Sequence, residues 1–174
     1  MSLVADLRAT IRDIPDFPKP GIIFKDITPV LLDAKLFSRT VEAMAADFRD
    51  DGISHVLAIE SRGFLFGAPV AMALGAALVP VRKPGKLPFR RVTERYELEY
   101  GKDALELHED ALGPAAKVLV VDDLLATGGT AAATCRLVER FGARVVGIAV
   151  VIDLGFLPWR SALAGRRVAS LVSY

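Results

Sequence analysis

The stretch VLVVDDLLATGGT, residues 118–130, decides how the rest of the chain is read. Four apolar residues end in two adjacent carboxylates, Asp122 and Asp123, and a loop of small residues then opens a helix. Thr127, Gly128, Gly129 and Thr130 offer hydroxyls and unobstructed backbone N–H groups at that helix N-terminus, a ready-made anion site. The two glycines let the backbone approach a phosphate closely. The acidic pair upstream would repel a phosphate, so it faces something else: ribose hydroxyls or a metal-bound diol. Phosphate and sugar recognised side by side point to a phosphorylated sugar. The competing reading is a plain strand-to-helix turn with Asp and Thr as caps.

Working outward, buried-strand patterns alternate with helical ones. HVLAIES (55–61), AALVPV (76–81), KVLVVDD (117–123), RVVGIAVVIDL (144–154) and RRVASLVSY (166–174) read as strands. Helices are expected at 2–12, through LFSRTVEAMAADFRD (36–50, stopped by Gly52), at 67–75, at 130–141 (capped by Gly142), and as a short piece around Trp159. FPKPGIIFKDITPVLLDA (17–34) reads as an ordered irregular arm, and PGKLPFRRVTERYELEYG (84–101) as a mobile hairpin. The pattern predicts one α/β domain over residues 1–174: a mostly parallel twisted sheet flanked by helices, with a mobile hairpin loop and an N-terminal arm or hood. In such sheets ligands bind outside the carboxyl ends of the strands. Three polar clusters follow strand ends: Glu60 to Gly63, Arg82–Lys83, and Asp122 to Thr130. They are expected to converge on one site.

Composition narrows the function classes. Hydrophobic residues make 52% and charged residues 25% of the 174, which suits one globular domain. A formal net charge of +1 with no long basic run argues against nucleic acid. The uncharged run from Phe64 to Val81 is broken by Pro69, Gly75 and Pro80, so it reads as helix plus strand, not a membrane span. With no signal-like N-terminus, a cytoplasmic location is expected. The single cysteine, Cys135, reads as a small core residue. No G-x-x-x-x-G-K-[ST] and no G-x-G-x-x-G after a strand is present, which leaves P-loop and dinucleotide folds without support. His55 and His108 have no partner motif and read as structural or surface groups.

VVDDLLATGGT resembles the 5-phosphoribosyl-1-pyrophosphate (PRPP) signature of the type I phosphoribosyltransferases. FPKPGIIFKDITP, ESRGFLFGAPVA, VPVRKPGKLP and YELEYG are similar to the adenine-specific branch of that family, in its order and spacing. The resemblance fades after about Asp153. It implies purine salvage: adenine and PRPP give AMP and pyrophosphate, with Mg²⁺ held mainly by PRPP and no direct protein ligand. On the matching positions it places the ribose hydroxyls on Asp122 and Asp123, and the 5′-phosphate on Ala126, Thr127, Gly128, Gly129 and Thr130. Pyrophosphate falls to Ser61, Arg62, Gly63, Arg82, Lys83 and Lys86, with a strained or cis peptide beside the serine. Ile23, Phe24 and Lys25 of the arm (1–35) would frame adenine. Glu99, in a mobile catalytic loop over 84–103, would be the catalytic carboxylate, with Tyr100 its neighbour; Glu97 lies on the same face of a strand and competes by position. Glu60 receives no role, and Arg90, Arg91, Glu94 and Arg95 read as solvated charges. The resemblance also implies a homodimer in which Arg82 or Lys86 reaches the neighbouring site. A sister transferase for hypoxanthine, guanine or xanthine, or a non-catalytic PRPP sensor, would share the signature but not the adenine-type segments.

Overall fold

The structure, a computed structural model, describes residues 2–98 and 101–174. In chain order the elements are α1 (Leu3–Thr10), β1 (Arg12–Pro15), β2 (Ile23–Asp26), α2 (Thr28–Leu32), α3 (Ala34–Ala46), β3 (His55–Ile59) and α4 (Gly63–Leu74). They continue with β4 (Ala77–Val81), β5 (Arg91–Leu98), β6 (Gly101–His108), β7 (Lys117–Leu125), α5 (Gly129–Glu139), β8 (Arg144–Asp153), α6 (Trp159–Ala162) and β9 (Val168–Ser173). The central sheet has the order β4-β3-β7-β8-β9, with every neighbouring pair parallel. This is the α/β architecture expected from the sequence.

Alternation along β7 shows why these strands read as continuous apolar runs. Val118 and Val120 face a core layer with Cys135, Leu137 and Ile148, whereas Leu119 and Val121 face a second layer with Phe66, Met44 and Phe48. A strand covered on both faces has no polar side to display. The α4 layer lies very close: a Cβ at Gly67 would stand 2.4 Å from the Ala58 Cβ, so only glycine fits there. From β3 the chain steps outward to β4, and from β7 it steps the other way to β8 and β9. The crevice between the carboxyl ends of β3 and β7 is therefore the topological switch point.

Several boundaries differ from the sequence reading. Helix α4 begins at Gly63, four residues before the expected start, so Pro69 lies inside it. Leu65, whose carbonyl the missing N–H would have met, is on the exposed side of the helix, where water can serve it. The arm is less irregular than expected: β1 and β2 pair antiparallel, Ile14 opposite Phe24, and α2 follows. β7 runs on to Leu125, two residues past the expected end at Asp123.

Strands β5 and β6 form the expected hairpin, in register from Arg91↔His108 to Leu98↔Gly101. Its described part is not a solvated loop. Tyr96, Leu105 and Leu107 are buried in the core, and Glu106 pairs by backbone with Arg82 at the end of β4. Glu94 and Arg91 correct the reading of solvated charges. Arg136 and Arg140, one turn apart on α5, face β5 and hold Glu94, while Arg91 donates to the buried Glu106 at 3.1 Å. Arg90 pairs with the surface carboxylate of Glu109, and Arg95 is exposed.

Candidate active site

The carboxyl ends of β3 and β7 enclose a cleft of about 260 Å³, lined by Glu60, Ser61, Arg62, Lys83, Asp122, Asp123 and Thr130 among others. The three sequence-distant polar clusters thus meet, as their places after strand ends require. Ala126 to Thr130 curl beside it over a second, smaller hollow floored by Val120, Ile148 and Val150.

Gly128 caps α5 with φ +84°, a left-handed conformation that glycine adopts without a steric penalty. Its position is also crowded: a Cβ there would stand 3.1 Å from the Ala162 Cβ and 3.2 Å from the Trp159 Cα. The first turn of α5 leaves N–H groups without intrahelical acceptors, directed toward the loop mouth. Thr130 Oγ1 lies 3.2 Å from the Tyr96 hydroxyl, so the hairpin touches the same helix end.

Asp122 and Asp123 occupy different surroundings. Asp122 accepts from the Asp123 N–H at 2.9 Å. Burial, reinforced by the Asp123 charge, pushes its carboxyl well above the usual carboxylate range. Asp123 is buried and accepts from Arg62 Nε at 2.5 Å, while the Arg62 guanidinium stacks over the Phe24 ring at 5.3 Å. That contact joins the arm to the site. Phe24 also packs edge-on against Phe17, with centroids 5.2 Å apart. Lys25 turns elsewhere, donating to Asp13 at 2.6 Å with its ammonium 3.8 Å from the Tyr174 ring centroid, and the Ile23 side chain is exposed.

Arg82 and Lys83 are held by carboxylates. Glu60 accepts from Arg82 Nε at 2.9 Å and from the Lys83 N–H at 2.8 Å, and the bond from Arg82 keeps its carboxyl below the ordinary value. Lys83 is bonded to Asp103, which also accepts from the Tyr96 hydroxyl at 3.2 Å. Burial alone would raise the Asp103 pKa, but the Lys83 ammonium and the Ala104 N–H outweigh it and the net direction is down. For Lys83 burial pulls down and Asp103 with Tyr96 pulls up, so the net direction is up. Lys86 stands exposed on the turn, whose Gly85 N–H is anchored on Glu106 at 3.0 Å. The peptide between Glu60 and Ser61 is cis, as the resemblance led one to expect beside this serine.

Glu60, Asp103, Glu106 and Tyr96 are site-building residues that the sequence reading passed over. The one signal for Glu106 was a carboxylate between two core leucines, Leu105 and Leu107. Glu99 and Tyr100 lie outside the described residues.

The match to known proteins agrees with this geometry. Residues 30–155 match the Phosphoribosyl transferase domain. An adenine phosphoribosyltransferase of Myxococcus xanthus is 57% identical, covering 99% of this chain and 94% of its own. The chain belongs to the adenine phosphoribosyltransferase family. The Carboxydothermus hydrogenoformans member of the family is 55% identical over 97% of this chain and 99% of its own. Among solved structures, the adenine phosphoribosyltransferase of Thermoanaerobacter pseudethanolicus superposes with TM-score 0.96 at 50% identity, covering 99% of this chain and all of the other. That of Saccharomyces cerevisiae, crystallised with an imino-altritol bisphosphate and adenine, gives 0.92 at 38% identity over 97% and 98% of the two chains. The fold of this phosphoribosyltransferase is therefore that of its family, reaching into the C-terminal portion where the sequence resemblance was weakest.

Proposed function

We propose that this enzyme transfers the 5-phosphoribosyl group of PRPP to N9 of adenine, releasing pyrophosphate and AMP. The observation that carries this is the placement of Asp122 and Asp123 in one cleft between a glycine-rich helix end and a strip of cations. A sugar held by its hydroxyls at the acidic pair would lay its 5′-phosphate on Ala126 to Thr130 and its pyrophosphate toward Ser61, Arg62, Gly63, Arg82, Lys83 and Lys86. Cations that meet the leaving group as the C1–O bond breaks stabilise charge where it develops. Phe24, stacked on Arg62, would bring the base against the ribose, with Ile23 and Lys25 framing it through their backbone.

Glu99 would accept the N9 proton as the new bond forms, help worth about 10²–10⁴-fold. Closure of the 84–103 segment over the cleft would exclude water, the competing nucleophile. Among the described residues no group of three or more His, Cys, Asp or Glu is placed to hold a metal ion. The donor set here, two carboxylates of which one is occupied by Arg62, suits Mg²⁺ carried by PRPP oxygens with the acidic pair facing the diol. Bound there, the metal supplies Lewis-acid stabilisation of the pyrophosphate.

The reading extends to a homodimer. Leu65 and Met72 of α4 and Leu78 of β4 are exposed along a run with no charged residue from Phe64 to Val81, a face suited to a second copy. Arg82 or Lys86 would then reach the neighbouring site. A reducing cytoplasm fits a chain whose one cysteine is buried and free, and no helix among the described residues is long and apolar enough to cross a membrane.

The test is a turnover assay offering adenine, hypoxanthine and guanine separately with PRPP and Mg²⁺. Adenine should be consumed and the carbonyl purines rejected, because a site that pairs an exocyclic amine leaves buried groups unpaired against a carbonyl. Equal use of hypoxanthine would overturn the adenine assignment. Mixing inactive Arg82→Ala and Asp123→Ala chains should restore activity if the site is shared.

A further inference from the structure

Asp153 is the last residue of β8 and is 2% exposed. Its Oδ1 accepts from Trp159 Nε1 at 3.3 Å and from the Ser173 hydroxyl at 2.9 Å, and its Oδ2 from the Ser170 hydroxyl at 2.7 Å. Among the described residues no cation pairs with it. A buried carboxylate satisfied by neutral donors alone gains little from its charge and contributes direction. Its place in the sheet says what it directs. Asp153 stands in register with Leu125, the residue that opens the glycine-rich loop, and the Leu154 N–H bonds to the Leu125 carbonyl at 2.9 Å. Trp159, held by Asp153, begins the short helix that backs Gly128: a Cβ added at Gly128 would stand 3.1–3.3 Å from Ala162 and Trp159, so α6 leaves no room there for a side chain. The wall behind the loop is thus fixed from the far side by one buried side chain.

We propose that Asp153 is a positioning residue for the phosphate loop: through Trp159 it holds α6 against Gly128 and so sets the loop's grip on a sugar 5-phosphate. The inference rests on the reading of Ala126–Thr130 as the phosphate site. Removing the carboxylate leaves the indole N–H and two hydroxyls without their acceptor, frees α6, and lets the loop depart from the geometry a phosphate needs. Asparagine preserves the arrangement, since its carbonyl oxygen can accept from Trp159 and Ser173 while its amide donates to the Ser170 oxygen.

The experiment compares Asp153→Ala, Asp153→Asn, Trp159→Phe and Thr130→Ala by calorimetric titration with ribose 5-phosphate and, separately, with pyrophosphate, at a temperature well below each variant's Tm. Asp153→Ala should weaken ribose 5-phosphate about tenfold. Asp153→Asn should restore it to within about threefold, and pyrophosphate affinity should stay near wild type throughout. If Asp153→Ala fails to fold, Trp159→Phe carries the test, because it removes the N–H from the relay while keeping an aromatic ring. Unchanged ribose 5-phosphate affinity in Trp159→Phe and Asp153→Ala, or equal loss of both ligands, overturns the proposal. If Thr130→Ala too leaves ribose 5-phosphate untouched, the phosphate-site reading itself falls; if Thr130→Ala weakens it and the Asp153 variants do not, only the relay falls.

Discussion

The glycine-rich loop and the cation strip face the same cleft but are held in different ways. Around Gly128 the groups proposed to meet an anion are backbone N–H groups at a helix end, fixed by a left-handed glycine and by α6 behind it. Across the cleft, Arg62, Arg82 and Lys83 are each bonded to a carboxylate of the same chain: Asp123, Glu60 and Asp103. On the proposed reading, the loop would receive a phosphate as it stands. The strip would have to give up or share internal partners, so part of what a pyrophosphate gained from each cation would go into replacing a carboxylate. Neutralised cations also do not repel one another when the cleft is empty. On that reading one half of the site would serve affinity and the other exchange.

Gly128→Ala should break the comparison hardest. Alanine is strained at φ +84° and its Cβ would press on the backbone of Trp159, so the loop must shift. A displacement near 1 Å at a positioning element costs about 10²-fold, and PRPP turnover at subsaturating substrate should fall by that order. A variant with normal turnover would show that the loop is not preformed. Arg62→Ala should come next. It leaves the buried Asp123 without its cation, and because Arg62 is itself 47% exposed the cost falls below the about 3–5 kcal/mol of a fully buried pair. PRPP affinity should drop roughly tenfold, with a lowered Tm.

Asp103→Asn sharpens the comparison from the other side. With Lys83 released, pyrophosphate should bind about threefold more tightly, the scale of a partly exposed ion pair. Weaker binding would mean that Asp103 orients Lys83 instead of competing for it. The smallest effect is expected from Asp122→Asn read in the ligand-free protein. Burial and the Asp123 charge raise the Asp122 pKa, so folding favours its neutral form. That contribution is full below the unfolded carboxylate pKa and is lost as pH rises through the raised folded value. Asparagine cannot ionise, so Tm at pH 8 should rise by about 2–4 °C for each kcal/mol of repulsion relieved, and the gain should shrink toward pH 3. Equal Tm values at pH 8 would show that the acidic pair is not strained.

Legibility in the sequence followed the same divide. Asp122 to Thr130 could be read directly, because strand, acidic pair and helix N-terminus are contiguous and each residue type states its own chemistry. The apolar runs of β3, β7 and β8 were equally plain, since burial on both faces removes any polar alternation. The partners of the cation strip were not visible. Glu60 and Arg82 are separated by 22 residues, Lys83 and Asp103 by 20, Arg62 and Asp123 by 61, and nothing local marks one charge as the mate of another. Glu94 looked like any solvated glutamate until α5 placed Arg136 and Arg140 beside it. Pro69 misplaced the start of α4 because the rule against interior proline assumes a carbonyl with no other partner, and Leu65 faces water. Asp153 carried no signal at all, its donors Trp159, Ser170 and Ser173 being ordinary residues brought together only by the sheet register.

Cys135 gives this molecule an experimental convenience. It is the only cysteine in the chain, lies fully buried on the inner side of α5, and burial pushes its thiol up to about 11. At pH 7 roughly one molecule in ten thousand would carry the thiolate that alkylating reagents attack. A cysteine introduced at the exposed Arg95 on β5 would therefore be the single reactive thiol, with no background to remove. A maleimide dye placed there would test whether the hairpin moves during turnover in the otherwise native protein.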